Sequence, residues 1–401
     1  MPGRLFFTFS GIHSFLIGLF PFYLPVYLYT IGLSLREICF FIAATGTGYC
    51  LTLYVWDRVR RIFPFRLLFQ WSFVSEVVLL AFFFLDPGMV SLLAAGLVNG
   101  IFNCSFWTIQ RLLFVELASS HNSGRNFGNF QIFVLVVLKA AILVGGVLLE
   151  KWGLFSVFLL SLAMAAAGGV AARLMDGETE KRIRSAKPVC FHRISGFGDS
   201  SGSQSMFLID GVFLYLESYF WLLSMFFIVR QNFFRLGVVV VVLALLFGVF
   251  FVLFKNTIDR LPGQKVYVAA VVLYSLSWFL RGTLTQDFSH LATLWLLLVI
   301  ALCTSLFRLS LNKRFFDNAR LAGAHEYILV KSYISQFSLA LIFVVLAGVF
   351  SLAAQEVVDQ LSLCYYLAAV ASPLYLFYRM KVPHRLDAST STAAAGLMKN
   401  R

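Results

Sequence analysis

The chain has 401 residues, 60% of them apolar and only 13% charged, with a formal net charge of +13. A soluble protein of this length must cover its surface with polar side chains, and this one has too few. The composition therefore excludes an ordinary soluble enzyme or nucleic-acid-binding domain, and the deficit disappears if much of the surface faces lipid.

About 20 apolar residues cross a bilayer as a helix, and unsatisfied backbone in hydrocarbon leaves helices as the sensible form for such runs. Reading apolar runs between charged or turn-rich breaks predicts spans at 6–31, 35–56, 64–85, 89–115, 127–149, 153–174, 206–229, 234–254, 265–284, 288–312, 325–350 and 360–379. The first follows Arg4, is longer than a signal-peptide core and lacks a small-residue cleavage site. Asp86-Pro87-Gly88 and Leu261-Pro262-Gly263 mark turns.

With the N-terminus in the cytoplasm, the inside segments carry 23 Lys and Arg and the outside segments 5. The positive-inside rule then places both termini in the cytoplasm, and the expected location is the bacterial inner membrane. The basic residues are topology signals, so no nucleic-acid partner is expected. The longest polar stretch, 175–205, is rich in charge, Gly and Ser and is expected to be a flexible cytoplasmic linker. It separates an expected bundle at 1–174 from one at 206–380, and 381–401 is expected to be a disordered tail. Six cysteines show no C-x-x-C pairing, so neither a disulfide framework nor a metal site is indicated.

Asp57-Arg58 after span 2 recurs as Asp259-Arg260 after span 8, 202 residues on. Arg111-Leu112-Leu113-Phe114-Val115-Glu116 is loosely echoed by Lys313-Arg314-Phe315-Phe316-Asp317-Asn318 at the same offset. Two matches at half the chain length argue for a duplicated six-helix unit. These loops resemble those of the major facilitator superfamily, whose D-R-x-G-R-R motif follows helix 2 and is often repeated after helix 8. The first copy here is Asp57-Arg58-Val59-Arg60-Arg61, with Arg60 where the family usually has Gly. The resemblance implies an all-α membrane protein of twelve transmembrane helices in two pseudo-symmetric six-helix bundles. It also implies a transport function, with a gating role for Asp57, Arg58, Asp259 and Arg260 at the cytoplasmic helix ends.

Ionisable residues at membrane depth are costly and so are candidates for function. They are His13, Glu76, Arg111, Lys139, Asp210, Glu217, Arg308 and Lys331. If the resemblance holds, all but Glu76 lie on helices with access to a central cavity. Lys139, Arg111 and Arg308, with Asn103 and Gln110 on span 4, form the expected substrate-binding set. Glu217, His13 and Asp210 form the expected proton-coupling set, because a desolvated carboxylate and a histidine can both titrate near neutrality. The competing reading is that Lys139 pairs with Glu76 or Glu217 and only holds helices together. Gly145-Gly146 is expected to let helices pack closely.

No phosphate-binding loop, H-E-x-x-H motif, dinucleotide fingerprint or nucleophile elbow is present, so neither a catalytic site nor a cofactor is expected. The expected function is a monomeric secondary transporter, embedded in the lipid bilayer, for a small organic solute, with an anion and proton coupling as its finer reading. A lipid flippase, or a non-transporting assembly factor or sensor on the same scaffold, are the alternatives.

Overall fold

A computed structural model describes residues 2–85, 88–117, 123–173, 187–199, 201–259, 263–284, 290–352 and 356–380. The expected tail, 381–401, lies outside the described residues, as do residue 174, residues 175–186 and 200 of the expected linker, Arg260 and the side chain of Asp259. Among the described residues almost everything is helix and no strand occurs.

Span 1 is Pro2–Leu19 continued by Leu24–Thr30. Spans 2, 3 and 4 are Leu35–Val59, Phe65–Phe82 and Met89–Leu117. Spans 5 and 6 share the helical stretch Ser123–Arg173 and part at Gly153, whose φ of 70° lies in the left-handed region. Glycine adopts that conformation without a Cβ clash, so the chain can reverse there without a loop. Span 7 is Ser203–Tyr215 and Trp221–Ile228, joined by a π turn at Leu216–Phe220. Spans 8 to 11 are Phe233–Asp259, Gly263–Thr283, His290–Ala322 and Ala324–Leu352. Span 12 is Val357–Ala371, tightened into a 3-10 turn at Ser372–Phe377. Nine helices among the described residues are long and apolar enough to cross a membrane, and one of these, 42 residues long, is the folded pair of spans 5 and 6. With Phe65–Phe82 and Phe233–Asp259 the architecture is twelve helices in two six-helix bundles.

Sequence details explain several boundaries. Ser34 starts span 2 with a capping box: its hydroxyl accepts from the Glu37 amide, and the Glu37 carboxylate accepts from the Ser34 amide at 2.8 Å. Gly323, at φ 92°, ends span 10 and lets span 11 begin one residue later.

Small residues then let backbones approach, as expected where lipid removes the hydrophobic drive between helices. Gly48 and Gly100 bring spans 2 and 4 together, with a Cβ on Gly100 falling 2.5 Å from the Tyr49 nitrogen. Gly145 lies against the Gly18 and Leu19 backbone of span 1, and Gly146 against Tyr23 and Phe233. Gly46 of span 2 faces Gln336 and Ala340 of span 11, a contact between the two halves.

The halves are also joined by polar contacts at both ends. At one end Asp57, fully buried, accepts from Arg60 Nε at 3.0 Å and Nη2 at 2.8 Å. Its second oxygen accepts from the Val189 amide at 2.7 Å, and His325 of span 11 lies 3.4 Å from the first. Arg60 Nη2 is 2.9 Å from His325 Nε2. The segment before span 7 is docked here, because Arg193, on the short helix Phe191–Ser195, pairs with Glu326 at 2.8 Å. Arg58 points elsewhere: it lies over the Tyr54 ring at 3.4 Å and donates to the Tyr54 carbonyl. At the opposite end Glu150 of span 5 accepts from Asn232 Nδ2 at 2.7 Å and from the Phe233 amide at 3.0 Å. It thereby caps span 8 with a negative charge, the sign a helix N-terminus prefers.

Two outcomes follow from this packing. Gly100→Ala overpacks the contact between spans 2 and 4, costing about 1–3 kcal/mol, and should lower the melting temperature of detergent-purified protein by several degrees. Gly169→Ala, which meets open space, should leave it unchanged. Cys50, whose sulfur lies 3.8 Å from the Tyr333 carbonyl across the seam, reports on whether the Asp57 contacts hold the seam together. In a Cys190→Ser background, Asp57→Ala should speed maleimide labelling of Cys50 several-fold, whereas Arg58→Ala should not. An unchanged rate in Asp57→Ala would show that these contacts do not hold the seam shut.

Candidate functional site

Between these two ends the buried charges gather in one node. Asp210 and Glu217 both come from span 7, seven residues apart and so on one face of a helix. Arg308 of span 10 reaches both. Its Nη1 is 2.8 Å from Asp210 Oδ1, and its Nε and Nη2 are each 3.0 Å from Glu217 Oε2. Lys331 of span 11 closes on the other Asp210 oxygen at 2.6 Å. Each carboxylate is thus held by a cation in a place where an unpaired charge would cost several kcal/mol.

Hydroxyl groups and rings complete the surround. Tyr274 of span 9 donates to Glu217 Oε1 at 2.5 Å, and Tyr375 of span 12 donates to Asp210 at 3.4 Å. Phe307 stacks on Tyr274 with centroids 3.9 Å apart and meets Tyr375 edge-on at 4.8 Å. The Arg308 guanidinium carbon lies 5.8 Å from the Tyr274 ring centroid and 5.6 Å from that of Phe307. The π turn starts at Leu216 and includes Glu217. A π turn advances more residues per turn than an α-helix and often marks a functional site.

The N-terminal half meets this node through span 4. Arg111 Nη1 lies 3.5 Å from the Ser332 hydroxyl, next to Lys331, and no carboxylate among the described residues lies within 4.0 Å of Arg111. Asn99 donates to Thr45 at 3.1 Å and to Tyr219 of span 7 at 3.3 Å, which ties span 4 to the other half. Tyr219 in turn stacks on Tyr215 at 5.1 Å.

The expected site residues divide accordingly. Arg308, Asp210 and Glu217 meet in the node, and Arg111 reaches its edge. Asn103 is one helical turn further along span 4, donating to Asn99 and accepting from Trp107 Nε1 at 3.2 Å. Gln110 and Lys139 make no hydrogen bond or ion pair among the described residues. Lys139 therefore pairs with neither Glu76 nor Glu217. Glu76 faces His13 instead: Nδ1 of His13 is 4.0 Å from Glu76 Oε2, and Nε2 is 2.8 Å from the Ser72 hydroxyl. Both side chains are fully buried, with the imidazole stacked on Phe73 at 4.1 Å and close to Phe9 and Phe106. This pair lies inside the N-terminal bundle, apart from the node.

Sequence reasoning did not single out Tyr274, Tyr375 or His325, and it named Arg60 within the motif without giving it a role. Arg60 was within reach, since residues three apart on a helix are neighbours and Asp57 is its partner. The two tyrosines gave no signal in a chain with 17% aromatic residues.

No family model matches the sequence, and no curated protein matches it. Solved structures do. A structure of a point mutant of the nucleoside transporter NupG superposes with a TM-score of 0.68 at 12% identity, covering 94% of this chain and 98% of that one. A second NupG structure gives a TM-score of 0.66 with the same identity and coverage. The chain is therefore a multi-pass α-helical membrane protein with the fold of that transporter.

Proposed function

We propose that the protein is a secondary transporter that moves a small anionic organic solute by alternating access, the halves 1–174 and 206–380 rocking about the node. The fold supports transport of a small solute, and the charge of the node supports an anion. Three cations, Arg111, Arg308 and Lys331, stand against two carboxylates, Asp210 and Glu217. The surplus is one positive charge, which a single carboxylate or phosphate on the solute would balance. Arg308 suits the role because a guanidinium offers paired donors to a planar carboxylate. Arg111 brings the other half to the same anion, so binding would draw the halves together. The Lys and Arg asymmetry of the loops supports cytoplasmic termini, and on that reading the Asp57–Arg60–His325 contacts would form a cytoplasmic gate.

Proton coupling follows from the same geometry. An anion that takes Arg308 displaces Glu217, and the freed carboxylate then keeps Tyr274 as its remaining hydrogen-bond donor. Protonation removes that cost, and the Tyr274 hydroxyl can bond either form of the acid. Asp210 keeps Lys331 and so is the less readily freed of the two.

In proteoliposomes screened against anionic solutes, Arg308→Gln should reduce uptake at least a hundredfold, and Arg308→Lys should restore part of it because the charge returns without the fork. Uptake by Arg308→Gln at the native rate would sink the site. Glu217→Gln should keep solute exchange at equal pH but lose acceleration by an imposed proton gradient; a retained response would place the proton elsewhere.

A further inference from the structure

The end of the C-terminal half remote from the Asp57 latch holds another cation that the node does not use. Arg281, on span 9, is only 2% exposed. Its guanidinium carbon lies 4.1 Å from the Trp278 ring centroid and 5.1 Å from that of Trp221. Its hydrogen-bond partners are neutral: Thr304 at 2.7 Å and Ser277 at 3.4 Å. The Nε is buried with no hydrogen-bond partner, and among the described residues no carboxylate lies within 4.0 Å of the side chain. Buried guanidinium groups are rare without an anion, because desolvation must be offset.

Arg281 borders a cleft between spans 7, 9 and 12. Trp221, Tyr365 and Leu361 form its walls, and Ser224 and Ser362 add hydroxyl groups. The Tyr365 and Ser224 hydroxyls are 2.6 Å apart, so the polar groups sit together under the aromatic walls. A buried cation with no carboxylate in ion-pair contact, whose charge is felt by Glu217 of the node only at longer range, donor hydroxyls and apolar walls make a set that recognises an anionic head on an apolar body.

We propose that this cleft is a second binding site, separate from the node, for a carboxylate or phosphate group carried on an apolar body, with Arg281 supplying the charge. Two sources offer that chemistry, an anionic phospholipid headgroup and a free amphiphilic carboxylate. Trp221 and Trp278 flank the cation, so their fluorescence reports occupancy.

The test uses the full chain in phosphatidylcholine nanodiscs, titrated with decanoate in one arm and with increasing phosphatidylglycerol content in the other. Saturable tryptophan quenching is expected in at least one arm, and which arm responds identifies the source. Arg281→Gln should weaken the response tenfold or more. Ser362→Leu, which narrows the cleft and leaves Arg281 in place, should weaken it as well and guards against misfolding of the first variant. Arg111→Gln, which alters the node's charge from the other half and touches no residue of the cleft, should leave the response intact, which separates this cleft from the node and its test from that of transport. Quenching that is equal in wild type and both cleft variants, equal quenching by decanol, loss of the response in Arg111→Gln, or no quenching in either arm would each overturn the proposal.

Discussion

Charge in hydrocarbon survives only beside its opposite, and that constraint organises the centre of this protein. Asp210 and Glu217 share one face of span 7, and Arg308 and Lys331 come from two other spans to meet them. Four buried charges on three helices therefore fix the mutual rotation of spans 7, 10 and 11. Tyr274 and Tyr375 extend the same control to spans 9 and 12. The C-terminal half is thus built around its polar centre, whereas the N-terminal half contributes Arg111 and amides at the rim.

The two ends complement that centre. Glycines and small side chains bring spans 2 and 11 into backbone contact, and the Asp57–Arg60–His325 cluster closes one end of that seam. Glu150 closes the other end by capping span 8. Each closure consists of a few charge-assisted hydrogen bonds, whose net contribution is set against the hydration the same groups would regain if exposed to water. The alternating access proposed above needs closures of that kind, since a permanent apolar seam at both ends would prevent the motion.

Much of the architecture was legible in the sequence, because a span is a property of a run of residues. Apolar length, turn residues and the distribution of Lys and Arg locate the spans without knowledge of their neighbours. Gly153 shows the limit of that reading: two predicted spans are real, but the stretch joining them is a single glycine turn within continuous helix. The buried ionisable residues were legible as a set, since any charge within an apolar run stands out. Their pairing was not. Whether Glu76 meets Lys139 or His13 depends on helix rotation and on which helices touch, neither of which a hydropathy pattern encodes. The same holds for Lys331, which finds Asp210 across the bundle. The Asp57 latch lies between these cases: its i, i+3 arginine is a local fact, while His325 and the Val189 amide arrive from distant segments.

The central claim is that a net positive, preformed node selects an anionic solute. The most direct measurement is binding of matched pairs of small organic solutes that differ only in carboxylate against carboxamide, read by thermal stabilisation of the purified protein. A ligand that binds only the folded state stabilises it by an amount that grows with the logarithm of its concentration above Kd. Stabilisation by the carboxylate member of a pair, and none by its carboxamide, is the predicted result. Equal stabilisation by both members would contradict the anionic reading and leave the node as a structural ion cluster.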